Sequence, residues 1–229
     1  MAKLVVLVPF NERGYERLCR LLERIKLRAY LPLPKPLCEP WQRELFLGRI
    51  PSSFLRVWSP LLDLLSRGLP AGYTCYLELE DVEAGVEASL RIAALVLKAR
   101  ALGVVRVEEW LSAVPKPREP PLASWEGALV VDSFLDYYVL VKKGAEGADV
   151  VSVDSFVPTP VDLLSLVSAG LLEWKCPVEE LIRWAVWYIG DAVVTSSNLT
   201  EAYDKLVGSE GYRELVEECT RQKSVLLYW

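Results

Sequence analysis

The chain has 229 residues, with 26 Lys+Arg against 31 Asp+Glu and no histidine, a size that suits one large domain or two small lobes. Although 52% of it is hydrophobic, charges recur every few positions and no apolar run approaches the roughly 20 residues of a membrane span, so a soluble chain with no membrane partner is expected. Without histidine the commonest general base and the usual nucleophilic triads are excluded, which leaves carboxylate, lysine, hydroxyl and thiol chemistry.

Lys3-Leu-Val-Val-Leu-Val8 reads as a buried first strand. It is too short for the apolar core of a signal peptide, lacks a small-residue cleavage site and runs at once into Asn11-Glu12-Arg13, so a cytoplasmic location is expected. One Met, two Asn and two Gln beside abundant Leu, Val, Arg, Glu and Pro match the bias against thermolabile side chains seen in thermophiles.

A helix is predicted from Gly14 to Tyr30, with Tyr15, Leu18, Leu22 and Ile25 as its buried stripe. Arg13, Arg17, Arg20 and Arg24 lie roughly opposite. Such a row can track phosphates, but Glu12, Glu16 and Glu23 interrupt it, and an ion-paired solvated face is the plainer reading.

The proline-rich stretches 31–40 and 114–122 can be neither regular helix nor central strand. The second divides the chain into a basic-leaning N-terminal lobe (1–113), a linker (114–122) and an acidic C-terminal lobe (123–229), unless the whole is one continuous domain. Residues 1–114 carry a net charge of +3 and 115–229 of −8, an asymmetry that fits an anionic partner on the basic side or two lobes that attract each other.

Tyr73–Leu79 alternates like a half-buried strand, and Val82–Leu102 is helical. Val86, Leu90, Ala94, Leu97 and Ala101 form its apolar face, and Gly103 is placed to end it. With Val104–Val107 as a second strand, 73–107 forms a βαβ unit, which argues for parallel pairing. Ala128–Val131 and Val150–Val153 read as buried strands, with Val139–Val141 as a third joined to the latter in a hairpin through Lys142–Asp149. Thr159-Pro160-Val161-Asp162 is a helix start, and Asn198–Glu201 a capping box. Pro177–Val194 carries Trp184, Trp187 and Tyr188 on nearly every face, so it should be a central helix or one buried by a partner. The closing Val225–Trp229 is too apolar to dangle. The fold class expected is α/β, with a mostly parallel central sheet flanked by helices and a helical C-terminal third.

Five cysteines stand far apart with no Cys-x-x-Cys, so structural zinc is unlikely. Buried thiols are the simpler reading, and disulfides stay open because thermophilic cytosols tolerate them. The irregularly spaced tryptophans Trp41, Trp58, Trp110, Trp125 and Trp174 read as packing rather than base-stacking residues.

No phosphate-loop, dinucleotide or nucleophile-elbow motif is present. The feature closest to chemistry is an aspartate after each of three strands: Asp81, Asp132 and Asp154. Ligands of parallel α/β sheets bind beyond the carboxyl ends of strands, where these carboxylates would act on a substrate and Asp132 and Asp154 would hold Mg²⁺. Helix capping or Asx-turns are the plainer reading of each of the three. Ser155 and Thr159, at a strand-to-helix loop, are candidate phosphate ligands, although the loop lacks glycine.

Two readings of function follow. In the first, the chain binds or hydrolyses a phosphate-bearing ligand, a nucleotide or nucleic acid, through Arg13, Arg17, Arg20, Arg24 and the aspartates. In the second, it is a catalytically inert interaction or scaffold subunit, or a degenerate enzyme. It would then form a homo-oligomer or protein complex through Trp184, Trp187, Tyr188 or the Val225–Trp229 end.

Overall fold

The computed structural model describes residues 3–117, 125–142 and 147–220. The apolar run at the N-terminus forms β1 (Lys3–Leu7), followed by α1 (Glu12–Leu22), β2 (Ala29–Pro34), α2 (Lys35–Cys38), α3 (Pro40–Leu47) and α4 (Ser52–Arg67). Then come β3 (Tyr73–Leu77), α5 (Leu79–Leu102), α6 (Val107–Ala113), β4 (Gly127–Val131), α7 (Phe134–Lys142) and β5 (Asp149–Ser152). The remainder is helical: α8 (Pro160–Ser168), α9 (Val178–Trp187), continued by a π-helical turn over Tyr188–Val193, α10 (Leu199–Val207) and α11 (Glu210–Thr220).

The five strands form one sheet in the order β3-β2-β4-β1-β5, and every pairing is parallel. The fold is therefore α/β, with a parallel sheet, flanking helices and a helical C-terminal region. β4 is buried along its whole length and β1 over Val5–Leu7, as befits central strands whose sequences are almost unbroken apolar runs.

The chain divides into two compact units, and each draws on both halves of the sequence. The first comprises Met1–Glu83 and Glu119–Phe156, the second Ala84–Arg118 and Val157–Trp229. Their limits differ from a division at the 114–122 stretch, part of which falls outside the described residues. The first unit holds the sheet. In the second, which is helical among the described residues, two buried tyrosines fix one segment: the Tyr203 hydroxyl accepts from Val157 N–H at 2.6 Å, and that of Tyr212 donates to the Pro158 carbonyl at 3.0 Å. The capping box at Thr159 is formed, whereas at Asn198 only half of it is: Asn198 accepts from Glu201 N–H at 2.8 Å, but the Glu201 carboxylate accepts from the N–H of Ser197 instead of that of Asn198.

Five expectations need correction. The first helix does not run on to Tyr30 but ends at Leu22, and Ala29 and Tyr30 open β2. The proline-rich segment after Arg28 is a strand inside the sheet. β2 pairs with β4 only through Ala29 and Tyr30, while the N–H of Ala29 bonds toward the β3 side, to Gly72 O. By alternation Pro32 faces the β4 side, where that ladder has already ended, so its missing N–H breaks no bond. Residues 104–106 are not a strand, because Gly103 takes φ +65° to end α5 and α6 starts at Val107. Val139–Val141 belongs to α7, so no hairpin reaches β5. The buried face of α5 is Val82, Ala88, Ile92, Val96 and Ala99, leaving Leu90 and Leu97 67% and 69% exposed. The helix carries two apolar stripes of similar quality, and periodicity alone does not rank them.

The cysteines also differ from the simpler expectation. Cys38 pairs with Cys75 and Cys176 with Cys219, at Cα–Cα separations of 6.1 and 5.4 Å, leaving Cys19 free. Among the described residues no helix is long and apolar enough to cross a membrane.

Candidate functional site at the carboxyl edge of the sheet

From β1 the chain passes β4 to reach β2, and from β4 it passes β1 to reach β5. The neighbouring strands β1 and β4 thus send their connections in opposite directions, which makes their carboxyl ends the topological switch point of the sheet, where open α/β sheets bind ligands.

Val8-Pro9-Phe10-Asn11 leads from β1 into α1 there. Asn11 is fully buried and caps the helix, accepting from Gly14 N–H at 2.8 Å. The turn is tight: a Cβ on Gly14 would stand 2.4 Å from the Pro9 carbonyl oxygen, so only glycine fits. This geometry aims the first two turns of α1 across the strand ends.

Tyr15, fully buried, donates to Asp132 at 2.6 Å and accepts from the indole N–H of Trp58, on α4, at 3.1 Å. Phe10 packs on Phe54 and Trp58 at ring separations of 5.2 and 6.1 Å. Burial first, and the Asp132 charge next, push the Tyr15 hydroxyl well above its ordinary pKa. Tyr212, buried in the second unit, is raised in the same way, by burial and then by Asp162. A tyrosine whose folded pKa exceeds its unfolded one contributes stability that is complete below about pH 10 and is lost as pH rises beyond it. Urea midpoints are therefore expected to fall from pH 9.5 to pH 11; a midpoint flat across that range would contradict the burial of these hydroxyls.

One strand beyond β1, Asp154 accepts from Arg13 Nε at 2.7 Å and pairs with Arg17 Nη1 at 2.9 Å. Its other contacts are local: the carboxylate accepts from the N–H of Ser155 at 2.9 Å and the carbonyl from the Ser152 hydroxyl. The two arginines are 34% and 46% exposed, while Asp154 is only 12% exposed. Both guanidinium groups therefore stand at the surface over a carboxylate that holds them side by side.

The other predicted residues lie elsewhere. Asp81 accepts from Glu78 N–H at 3.0 Å and caps α5, beyond the edge strand β3. Thr159 and Asp162 bond each other within the capping box of α8. Arg20 and Arg24 are exposed on and just after α1. The structure thus brings Asp132, Asp154, Arg13 and Arg17 to one edge, Ser155 follows Asp154, and Asp81 stands apart. Among the described residues no three Cys, Asp or Glu side chains group so as to hold a metal ion.

In the sequence Tyr15 reads as part of an apolar stripe and not as a functional group. A tyrosine on such a stripe is a signal, since its hydroxyl seeks a partner when buried. Asp136, on α7 just after β4 and 5% exposed, gave no sign of its burial.

Comparison with known families, with curated proteins and with solved structures found no match. The site is therefore read from its own chemistry. Tyr15→Phe is expected to destabilise the chain by about 1–3 kcal/mol, because the buried Trp58 N–H loses its acceptor and Asp132 a donor. A urea midpoint unchanged from the wild type would contradict that role.

Proposed function

We propose that the chain binds a phosphate-bearing ligand, a nucleotide or a nucleic-acid strand, across the carboxyl ends of β1, β4 and β5. The observation that carries this reading is the convergence of Arg13 and Arg17 on Asp154 at the switch point, beside the N-terminus of α1. Paired guanidinium groups match the geometry of a phosphate. The helix terminus adds favourable dipole there. Asp154 fixes the two side chains in the absence of ligand, which lowers the ordering cost of binding, and an arriving phosphate shares or displaces it. Asp132, held by Tyr15 at the end of β4, is the acceptor for a ligand hydroxyl.

The reading is one of binding, without a metal step, since Asp132 and Asp154 are engaged by Tyr15 and by the arginines. A nucleotide-type ligand implies an intracellular setting. The two disulfides then call for a cytosol that tolerates them, as in hyperthermophiles.

Titration with ATP and with a fluorescent single-stranded oligonucleotide at 50 and 300 mM salt tests the proposal. Binding that weakens with salt, and at least tenfold in Arg13→Ala and Arg17→Ala, is the expected result. No saturable binding of either probe at low salt, or affinities unaffected by both substitutions, would overturn it.

A second reading, an interaction subunit, is favoured by a groove of about 580 Å³ in the second unit. Trp184, Trp187 and Leu215 line it together with Glu180, Arg183 and Ser209. The two indoles meet edge to face at 5.1 Å. They are half-buried rather than central, so of the two expectations for this helix, a central position or burial by a partner, the first is not met. Val225–Trp229, the other surface expected to meet a partner, lies outside the described residues.

A further inference from the structure

We propose that the segment 221–229 turns back along the second unit and seats Val225, Leu226, Leu227, Tyr228 and Trp229 in that unit's own groove between α9 and α11. The phosphate site plays no part in this. The groove of the second reading becomes one that the chain fills itself, open to a partner only when the segment is displaced.

α9 and α11 run antiparallel. Cys176, two residues before α9, is bonded to Cys219 at the end of α11, and Lys175 N–H donates to the Cys219 carbonyl at 3.0 Å. Further along, the rings of Trp184 and Tyr212 meet at 5.4 Å, and a Cβ on Gly211 would stand 3.5 Å from the Trp184 ring. Residue 211 carries no side chain, so the indole is left open there. Trp184, Trp187 and Leu215 thus floor a trough of about 580 Å³ along the two helices.

The chain leaves α11 at Thr220, at the Glu180 end of this trough, and 221–229 lies outside the described residues. From Cys219 back to Ser209 the helix is about 15 Å long at 1.5 Å per residue. Extended, 225–229 covers about 17 Å, which leaves 221–224 for the reversal, the length of one turn. A run of five apolar residues is matched in length and character to an apolar trough that starts where the run is tethered.

Charge agrees. Glu179 and Glu180 open α9, and Glu214, Glu217 and Glu218 stand in the last turns of α11, Glu217 pairing with Arg213. The charged side chains of the segment are Arg221 and Lys223, both in the stretch that has to turn beside this acidic end. The tether also favours the segment over a separate partner, because a short linker gives an effective concentration on the order of millimolar.

Hydrogen exchange read by mass spectrometry on the full chain tests this. The amides of 225–229 are expected to exchange at least about tenfold more slowly in the wild type than in Leu227→Asp, at a rate independent of protein concentration. Glu180→Lys, a change at the surface, is expected to reduce the protection by about twofold to fivefold. A fluorescein-labelled peptide with the sequence of residues 221–229 is expected to bind Leu227→Asp saturably, and the wild type at least about tenfold more weakly because its groove is filled. Exchange of 225–229 at the rate of an unstructured peptide in the wild type would leave the groove to a separate partner, and protection that grows with concentration would assign it to the segment of a second copy. Either result, or a peptide that does not distinguish the two proteins, would overturn the proposal.

Discussion

Gly127→Ala is expected to lose a large part of the stability of the sheet-bearing unit. Gly127 opens β4 with φ +125°, and a Cβ there would lie 2.3 Å from the carbonyl oxygen of Arg28. That carbonyl accepts from Ala128 N–H at 2.9 Å, the bond that starts the pairing of β2 with β4. The side chain therefore meets backbone on both counts: a conformation that costs about 1–3 kcal/mol outside glycine, and a clash whose relief by shifting the strand costs about 1–3 kcal/mol more. The sum, about 2–6 kcal/mol, is a large fraction of the stability of an ordinary domain, about 5–15 kcal/mol. Gly103→Ala is the control. It also has positive φ, +65°, but nothing lies within 4 Å of the added Cβ, so only about 1–2 kcal/mol of left-handed strain is expected. Urea midpoints for the two variants should differ widely; equal shifts would mean that the close approach at Arg28 does not exist in solution.

Reduction of the disulfides is the second large effect. Cys38–Cys75 ties the segment after β2 to β3 across 37 residues, and Cys176–Cys219 ties a position two residues before α9 to α11 across 43. Loops of that length correspond to about 4 kcal/mol of restrained unfolded-state entropy per bond on the chain-entropy model. A reductant should therefore lower the urea midpoint of both units, and Cys176→Ser and Cys38→Ser should each reproduce part of the loss. Thiol counting gives a sharper outcome. Protein unfolded without reductant should titrate one thiol, that of Cys19, and five after reduction. In the native state even that one should resist alkylation at pH 8, since burial first and Glu23 next push it up to about 12. Five reactive thiols in unreduced protein would remove both bonds.

Two of the strands that the sequence made legible, Leu4–Val8 and Ala128–Val131, are unbroken apolar runs at the centre of the sheet; the third, Val150–Val153, is interrupted by Ser152 and is a strand as expected, but at the sheet's edge and partly exposed rather than buried. β2 was hidden because its prolines look incompatible with a sheet, and only the register shows that Pro32 falls where no ladder bond is made. Helix α7 was hidden because Phe134-Leu-Asp-Tyr-Tyr-Val-Leu-Val-Lys142 is rich in β-branched and aromatic residues, and tertiary packing overrides that local preference. Position at a strand end pointed to Asp132 and Asp154. Their partners were out of reach, because Tyr15 and Asp132 stand 117 residues apart and Arg13 and Asp154 stand 141 apart. Pairings of that separation depend on strand order, and local pattern carries no information about it.

Strand order also sets a timetable for synthesis. β1 leaves the ribosome first, yet both its neighbours in the sheet, β4 and β5, begin only at Gly127 and Asp149. At typical elongation rates those roughly 120 intervening residues take about 6–25 s to make. For that interval an apolar strand made to be covered on both edges has neither neighbour. The nascent chain must meanwhile be shielded, by its own helices or by a chaperone, and its folding is expected to be slow and sensitive to translation speed.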